Sequence, residues 1–225
     1  MKNRYFSRLI VALAFMLPVI CYAQQENKIL RHELQITLGL NSYLAFEFDP
    51  SYSYMFHKNV GIVLGMQFVK EIVDNLHYDL VSNTNYQWRI NERKEVSNLL
   101  FHPAIRFQFF IFDGISFVAE PGILLNIMPN EKLEFAYVNV KNFEPIPHKY
   151  KTMRNKNGSI LFYNCKSYIS VNIDNIALLF GYNISTFDIY SGRRNITIEN
   201  DAFNKHLPSK KRLLHTGFIG LSYFF

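Results

Sequence analysis

Four charged residues lie in segments whose alternate residues are apolar: Glu33, Arg106, Glu120 and Lys166. Two are acids and two are bases, so their formal charges sum to zero. Charged groups that are removed from water are tolerated only when they are paired. Such a set could form a hydrogen-bonded ionic network or a path for protons or solutes. We expect the network, in which Arg106 lies opposite Glu120.

Residues that could support catalysis or metal binding have no shared spacing. His102, His215 and several serines are available, but no serine, histidine and acid stand at a spacing typical of a catalytic set. The seven histidines are scattered along the chain. Cys165 is expected to be a small apolar side chain rather than a nucleophile. The sequence therefore predicts no catalytic residue, no metal site and no cofactor.

The first 23 residues have the three parts of a secretory signal peptide. Basic residues are followed by an apolar run over Leu9–Ile20, and Ala23 is the small residue expected at the cleavage site. The run is shorter than the ~20 residues that a membrane-spanning helix requires. We predict cleavage after Ala23 and a single domain over residues 24–225. Lipidation of Cys21 is the alternative, and Ile20 disfavours it because a small residue normally precedes a lipidated cysteine.

The composition is unusual for an exported domain. The chain is 49% hydrophobic and contains 21 phenylalanines and 14 tyrosines, yet no segment after the signal peptide is a long uninterrupted apolar run. A closed membrane barrel explains both facts, because alternate strand residues face lipid while the interior stays polar. Removal of three basic residues with the signal peptide lowers the formal net charge from +6 to +3. That charge is too small to predict a nucleic-acid partner.

Apolar residues recur with a period of two, which is typical of strands that have one polar and one apolar face. In the first predicted strand Leu34, Ile36 and Leu38 alternate with Gln35 and Thr37. Further segments of the same kind follow along the chain. The predicted strands lie near residues 31–41, 45–56, 60–69, 101–111, 115–125, 159–173, 176–183 and 213–225.

Short and long connections alternate between these strands. The short ones contain Asn, Asp or Gly, which adopt the positive φ angles of tight turns. They are His57–Asn59, Phe112–Gly114 and Asp174–Asn175. The long ones are Lys70–Glu95, Met128–Gly158 and Ser185–Arg212, with one short exception at Asn41–Leu44. Short turns at one end and long loops at the other are typical of outer-membrane barrels. We therefore predict an all-β fold, an eight-stranded antiparallel up-and-down transmembrane β-barrel preceded by a cleaved signal peptide.

Two prolines lie within predicted strands, where each removes one hydrogen-bond donor from the ladder. A closed barrel has no free edge at which to place them. We expect a β-bulge at Pro121–Gly122 and a position near the loop-side rim for Pro103.

The last predicted strand has alternate residues on one face, namely Gly217, Ile219, Leu221, Tyr223 and Phe225. An aromatic residue at the end of such a strand looks like the segment that the outer-membrane assembly machinery recognises. We expect this strand to bind that machinery and then to close the barrel. The alternative is a final strand that packs its apolar face on the core of a soluble protein.

Three segments resemble those of small outer-membrane β-barrel domain proteins from Bacteroidetes-type bacteria, including PorT-type proteins. They are Phe101–Phe107, Phe117–Leu125 and Gly217–Phe225. The resemblance extends over the whole mature chain, although its motifs describe architecture better than role. It implies an integral protein in the outer membrane of a Gram-negative bacterium, and a link to protein secretion.

Basic residues gather at two places in the long connections. One set comprises Lys149, Lys151, Arg154 and Lys156, and the other comprises Lys210, Lys211 and Arg212. We expect both sets to contact lipopolysaccharide phosphates at the outer rim, and the alternative is that they lie in solvated loops. Apolar residues of the second long connection could extend a strand above the membrane and form a surface for a protein partner. They are Phe135, Tyr137, Val138 and Val140.

The sequence thus predicts a non-enzymatic barrel of the bacterial outer membrane, with a packed polar interior and long extracellular loops. Its role would be structural, binding or secretion-associated. Its partners would be membrane lipid, lipopolysaccharide, the assembly machinery and an unidentified protein. Two alternatives stay open, a lipid-modifying outer-membrane enzyme and a soluble exported binding protein of lipocalin type.

Overall fold

The computed structural model describes residues 31–72, 79–81, 86–91, 95–139, 147–199 and 201–225, which are almost entirely strands and turns. The strands in chain order are β1 (His32–Asn41), β2 (Ala45–His57), β3 (Val60–Glu71), β4 (Asp79–Val81), β5 (Tyr86–Ile90), β6 (Ser97–Phe112), β7 (Ile115–Asn126), β8 (Lys132–Asn139), β9 (Lys149–Arg154), β10 (Leu161–Ile173), β11 (Ile176–Ser185), β12 (Thr197–Ile198), β13 (Asp201–Ala202) and β14 (Leu214–Phe224). A short 3₁₀ helix spans Phe203–His206. Within the described ranges no helix is long and apolar enough to cross a membrane. The predicted cleavage site at Ala23 and the predicted surface residue Val140 lie outside the described residues.

Eight strands form a closed barrel in the order β1-β2-β3-β6-β7-β10-β11-β14, and β14 pairs with β1 to complete the ring. Every neighbouring pair is antiparallel. Because each strand has a partner on both sides, the barrel presents no open sheet edge. The predicted eight-stranded antiparallel up-and-down barrel is therefore confirmed.

Side chains of the barrel strands alternate between outside and inside along most of each strand. On β1, Leu34 and Leu38 point outward and are about half exposed, whereas Gln35 and Thr37 point inward and are buried. The alternation follows from the pleat of a strand, in which successive Cβ atoms lie on opposite faces. Apolar side chains thus cover the outside, and polar side chains fill much of the inside.

Tight turns join the barrel strands at one end, and the long connections lie at the other. Gly114 has a φ of +74° between β6 and β7, and Asp174 has a φ of +54° between β10 and β11. Glycine and aspartate are among the residues that adopt this left-handed region most readily. Bulges adjoin two of the turns, between Met55 and His57 and between Phe110 and Phe112.

The bulge predicted at Pro121–Gly122 is wrong. The pairing of β6 with β7 keeps one register from Leu100 opposite Asn126 to Phe110 opposite Ser116. Gly122 instead allows β7 to lie close to β6, because a Cβ atom there would lie 2.7 Å from the Cβ atom of Ala104 on β6.

Pro103 does not lie at the loop-side rim either. It is opposite Leu64, near the middle of β3. Both prolines have outward side chains and lie within continuous strands, so the barrel tolerates two missing donors without a change of register.

The long connections fold into a cap over one end of the barrel. Strands β4, β5, β8 and β9 form a four-stranded sheet from two of the connections, and the third contributes β12, β13 and the 3₁₀ helix. The cap core includes Trp88, Phe135, Phe187, Tyr190 and Phe203, all of which are buried. Phe135 was predicted to belong to a partner surface, but its side chain is fully buried in this core.

The cap core is continuous with the mouth of the barrel. Inward-facing Leu100, Leu124 and Phe162 belong to the same apolar cluster as the cap residues. Phe162 packs edge to face on Phe187, with ring centroids 5.0 Å apart. Apolar packing therefore seals the loop end of the barrel, and polar residues occupy the interior below it.

The seam of the barrel lies between β1 and β14. Leu34 is opposite Tyr223, and Leu40 is opposite Gly217. The five residues predicted to form the recognition face all point outward there or directly after the strand. Phe225 exchanges two backbone hydrogen bonds with His32, and the two rings stack with centroids 5.4 Å apart.

Candidate functional site

The barrel strands bring all four predicted interior charges inside. Glu33 comes from β1, Arg106 from β6, Glu120 from β7 and Lys166 from β10. Each has a relative exposure of 3% or less. Their inward direction follows from the alternation, because each has outward apolar or small neighbours in its own strand.

Arg106 links three strands across the interior. Its Nε donates to Glu120 Oε1 at 2.7 Å, its Nη1 donates to Glu33, and its Nη2 donates to Gln35 Oε1 at 2.7 Å. Tyr168 Oη also donates to Glu120 Oε1, at 2.8 Å. Because β1 and β6 are not neighbours in the sheet, this guanidinium connects opposite walls of the barrel.

Lys166 belongs to a second cluster. Its ladder partner is Glu120, but its Nζ donates to Asp49 Oδ2 and to Thr37 Oγ1, both at 3.0 Å. His102 Nδ1 lies 3.4 Å from the same Asp49 oxygen. The carboxylate of Asp49 thus lies between a lysine and a histidine, and all three side chains are buried.

Glu47 forms a third cluster nearer the cap. Its carboxylate accepts hydrogen bonds from Gln67 at 2.7 Å, from Asn41 at 2.9 Å and from Thr216 at 3.0 Å. All three donors are neutral, which distinguishes Glu47 from the carboxylates that contact Arg106 or Lys166.

The predicted neutral sum of the interior charges is wrong. Alternation along β2 turns two more carboxylates inward, those of Glu47 and Asp49, and Glu71 is buried at the end of β3. The described inward-facing acids are Glu33, Glu47, Asp49, Glu71 and Glu120, against the bases Arg106 and Lys166 and the titratable His102. The inward direction of Glu47 and Asp49 could have been predicted from the sequence, because these acids alternate with Phe46 and Phe48.

The cap is fastened to the barrel by polar contacts as well as apolar ones. Tyr190 Oη donates to Glu71 Oε1 at 2.7 Å, and Asn98 Nδ2 donates to the backbone oxygen of Ile189 at 3.0 Å. Within the cap, Arg193 forms two hydrogen bonds with Glu131, at 2.6 and 2.8 Å. Side chains thus close the loop end, as expected for a barrel of only eight strands.

The seven predicted lipopolysaccharide-contacting residues do not form one patch. Lys149, Lys151 and Arg154 lie on β9, which pairs only with β8 among the strands described, and Lys156 follows it. Lys149 Nζ lies over the ring of Tyr137, 4.6 Å from its centroid.

The second basic set immediately precedes β14. Lys210, Lys211 and Arg212 lie there, beside the turn between β1 and β2. Lys211 Nζ donates to the backbone oxygen of Ser42 and lies 4.5 Å from the ring centroid of Tyr43. This second set therefore lies at the ends of barrel strands, whereas the first belongs mainly to the cap sheet.

The residues considered for catalysis or metal binding lie in different environments. His102 is buried in the interior, whereas His215 points outward on β14 with its ring 5.9 Å from that of Tyr182. Cys165 is exposed on the outer surface of β10. Throughout the described part of the chain, no three or more His, Cys, Asp or Glu residues are grouped to hold a metal ion.

Comparison with known proteins gives similarity at the level of structure alone. No protein-family model matches the chain. No curated protein matches it either.

Several solved structures are similar to the chain. A major outer membrane protein from Thermus thermophilus has 11% identity and a TM-score of 0.48, over 87% of this chain and 98% of that one. Neisserial surface protein A has 10% identity and a TM-score of 0.43, over 87% and 95%. The outer membrane enzyme PagL has 10% identity and a TM-score of 0.39, over 85% and 98%. The architecture of this chain rests on its own strand pairing.

Replacing Arg106 by leucine is expected to lower the free energy of unfolding by about 3–5 kcal/mol, because Glu33 and Glu120 lose their buried cation. The double variant Arg106→Leu/Glu120→Leu should regain part of that loss, since it removes one of the two carboxylates that are left without a cation. Urea unfolding of the refolded protein in detergent micelles, followed by circular dichroism, measures both. The matched control is Arg154→Leu on exposed β9, and equal stability of the Arg106→Leu and Arg154→Leu variants would contradict the cross-barrel role.

Proposed function

We propose that the chain is an integral barrel protein of a bacterial outer membrane. The observation that carries the proposal is the apolar outer surface, which runs around the whole circumference of a closed barrel with a polar interior. Leu38 on β1, Leu64 on β3 and Leu221 on β14 have exposures of 41%, 48% and 55%. Proteins that stay in water rarely expose apolar patches beyond a few hundred Å². Lipid is the environment that such a surface fits.

The limits of the apolar surface also support membrane insertion. On β3, outward side chains are apolar from Val60 to Phe68, and the next one outward is Lys70, which pairs with Glu95 at 2.6 Å. A tilted strand needs about 9–11 residues to cross the hydrocarbon core. The apolar part of β3 has about this length, and a charged pair marks its cap-side end.

We infer a structural or binding role through the cap rather than an enzymatic one. The long connections form a packed cap, and most side chains of its strand β9 are exposed. The interior polar groups lie beneath this cap, in contact with one another rather than in an open cleft. Membership of the PorT-like group and a role in secretion are the finer form of this proposal, and they rest on the resemblance of Phe101–Phe107, Phe117–Leu125 and Gly217–Phe225.

The membrane proposal is tested by adding a charge to the apolar surface. Leu64→Arg is expected to destabilise the inserted barrel by about 2–4 kcal/mol, because the guanidinium would lie near the bilayer midplane. The matched control, Thr152→Arg on the cap, should leave insertion unchanged. Outer-membrane fractionation in a Gram-negative host, with the heat-dependent gel shift of a folded barrel, measures the outcome. Recovery of the wild-type chain in the soluble fraction, without a gel shift, would defeat the proposal.

The enzymatic alternative has its own test. Lipid A from a strain that lacks the gene is expected to have the same mass spectrum as lipid A from the parent strain. A difference in acylation that the wild-type gene restores would overturn the non-enzymatic role.

We further propose that Lys210, Lys211 and Arg212 contact lipopolysaccharide phosphates. This segment is held in place, because Tyr43 Oη donates to the backbone oxygen of Ser209 and accepts the Lys211 N–H, at 3.1 and 2.8 Å. Exposed Leu213 lies directly beside it in the chain. A basic cluster next to an apolar surface fits a lipid that carries phosphate groups.

This contact predicts a difference between the two basic sets. Lys210→Gln/Arg212→Gln should weaken binding to lipopolysaccharide vesicles about tenfold or more, because each basic residue near an anionic surface contributes about 1 kcal/mol. The control Lys149→Gln/Lys151→Gln removes the same charge from the cap and should have a smaller effect. Co-sedimentation with vesicles of intact and of dephosphorylated lipid A measures both. Equal losses for the two variants would show that only the total charge matters.

A further inference from the structure

A small cavity lies inside the barrel between the clusters of Glu47 and Lys166. Its volume is about 10 Å³, which is close to the room that a single water-sized occupant needs. The side chains that line it include Thr37, Glu47, Asp49, Lys166, Asn183 and Thr216. Five strands contribute these residues, so the cavity is held by the closed sheet and not by the cap.

Two buried acceptors on residues that line this cavity have no donor within the described part of the chain. They are Asp49 Oδ1 and Asn183 Oδ1, which find no hydrogen-bond partner among the residues that the structure describes, and their residues are 5% and 6% exposed. Buried acceptors are nearly always satisfied in folded proteins. Since Asp49 and Asn183 both line this cavity, an occupant that offers hydrogen-bond donors or positive charge would suit their free oxygens.

The charges around the cavity distinguish these two kinds of occupant. Lys166 Nζ donates to Asp49 Oδ2 at 3.0 Å, and His102 Nδ1 lies 3.4 Å from the same oxygen. Among the described residues, Glu47 accepts hydrogen bonds from the neutral side chains of Asn41, Gln67 and Thr216 and from no cation. A water molecule would satisfy the acceptors but leave the buried charge, which is costly. A small cation would satisfy both.

We propose that this cavity binds one monovalent cation of about sodium's size, with oxygen ligands from Glu47, Asp49 and Asn183. Carboxylate and amide oxygens are hard ligands that suit hard cations. Of the two carboxylates that line the cavity, Lys166 contacts that of Asp49, and one positive charge balances that of Glu47. The site lies in the barrel wall and goes beyond the proposed role of the cap, because it requires only that the barrel closes.

The test compares unfolding in different salts at one ionic strength. The full protein is refolded in detergent micelles, and its urea midpoint is measured in sodium, potassium or choline chloride. Sodium is expected to raise the midpoint in a saturable way relative to choline. At a sodium concentration about a hundredfold above the Kd, the folding equilibrium should shift about a hundredfold. Potassium reports whether the cavity selects by ion size.

Three variants test whether the effect of sodium on the urea midpoint arises at this cavity. Glu47→Gln should abolish the dependence on sodium, whereas Glu199→Gln, which removes the same charge from the exposed cap, should retain it. If Glu47→Gln does not fold, Asn183→Leu removes one ligand without changing the charge and should raise the sodium concentration needed for half the effect. Equal midpoints of the wild-type protein in sodium and choline would overturn the proposal and favour a water molecule or a proton at Glu47. Failure of the barrel to reach the outer membrane is a separate result, since this test is made in micelles.

Discussion

The closed antiparallel ladder is the constraint on which the rest of the structure depends. Because β14 pairs with β1, each of the eight barrel strands has two neighbours, and its side chains can point only outward or into a narrow interior. Apolar residues at alternate positions then define an outer surface, and the polar residues between them must satisfy one another. The guanidinium of Arg106 shows the consequence, since it contacts Glu33 on the opposite wall as well as Glu120 on the adjacent strand.

The two ends of the barrel differ because the connections between strands are short at one end and long at the other. At one end the connections are tight turns that leave no chain to cover the interior, and the rings of His32 and Phe225 stack beside the seam there. At the other end the long connections bring their own apolar residues, and Phe162 joins the barrel lining to the core of the cap. The cap core thus packs on the mouth of the barrel, while the described interior below it is polar and carries more acids than bases.

The barrel could be predicted from the sequence because its signals are local. Period-two alternation and turn residues such as Gly114 act over a few positions, and they located the strands and the inward direction of Glu120. The cap could not be predicted in this way, because its sheet joins β5 to β8 from two separate connections. The contact of Lys166 with Asp49 was missed because a long side chain reaches beyond its ladder partner. The prediction of a bulge at Pro121 was wrong because the missing hydrogen-bond donor did not require a change of register.

A closed barrel in the membrane is tested most directly by the accessibility of single spin labels along β1 in lipid bilayers. Labels are attached to cysteines introduced one at a time in a Cys165→Ser background of residues 24–225. At Leu34, Ile36 and Leu38 we expect high accessibility to lipid-soluble oxygen and low accessibility to a water-soluble nickel complex. At Gln35 and Thr37 both should be low, because these side chains lie in the packed interior. Equal accessibility to the nickel complex along the whole strand would contradict a closed barrel in the membrane.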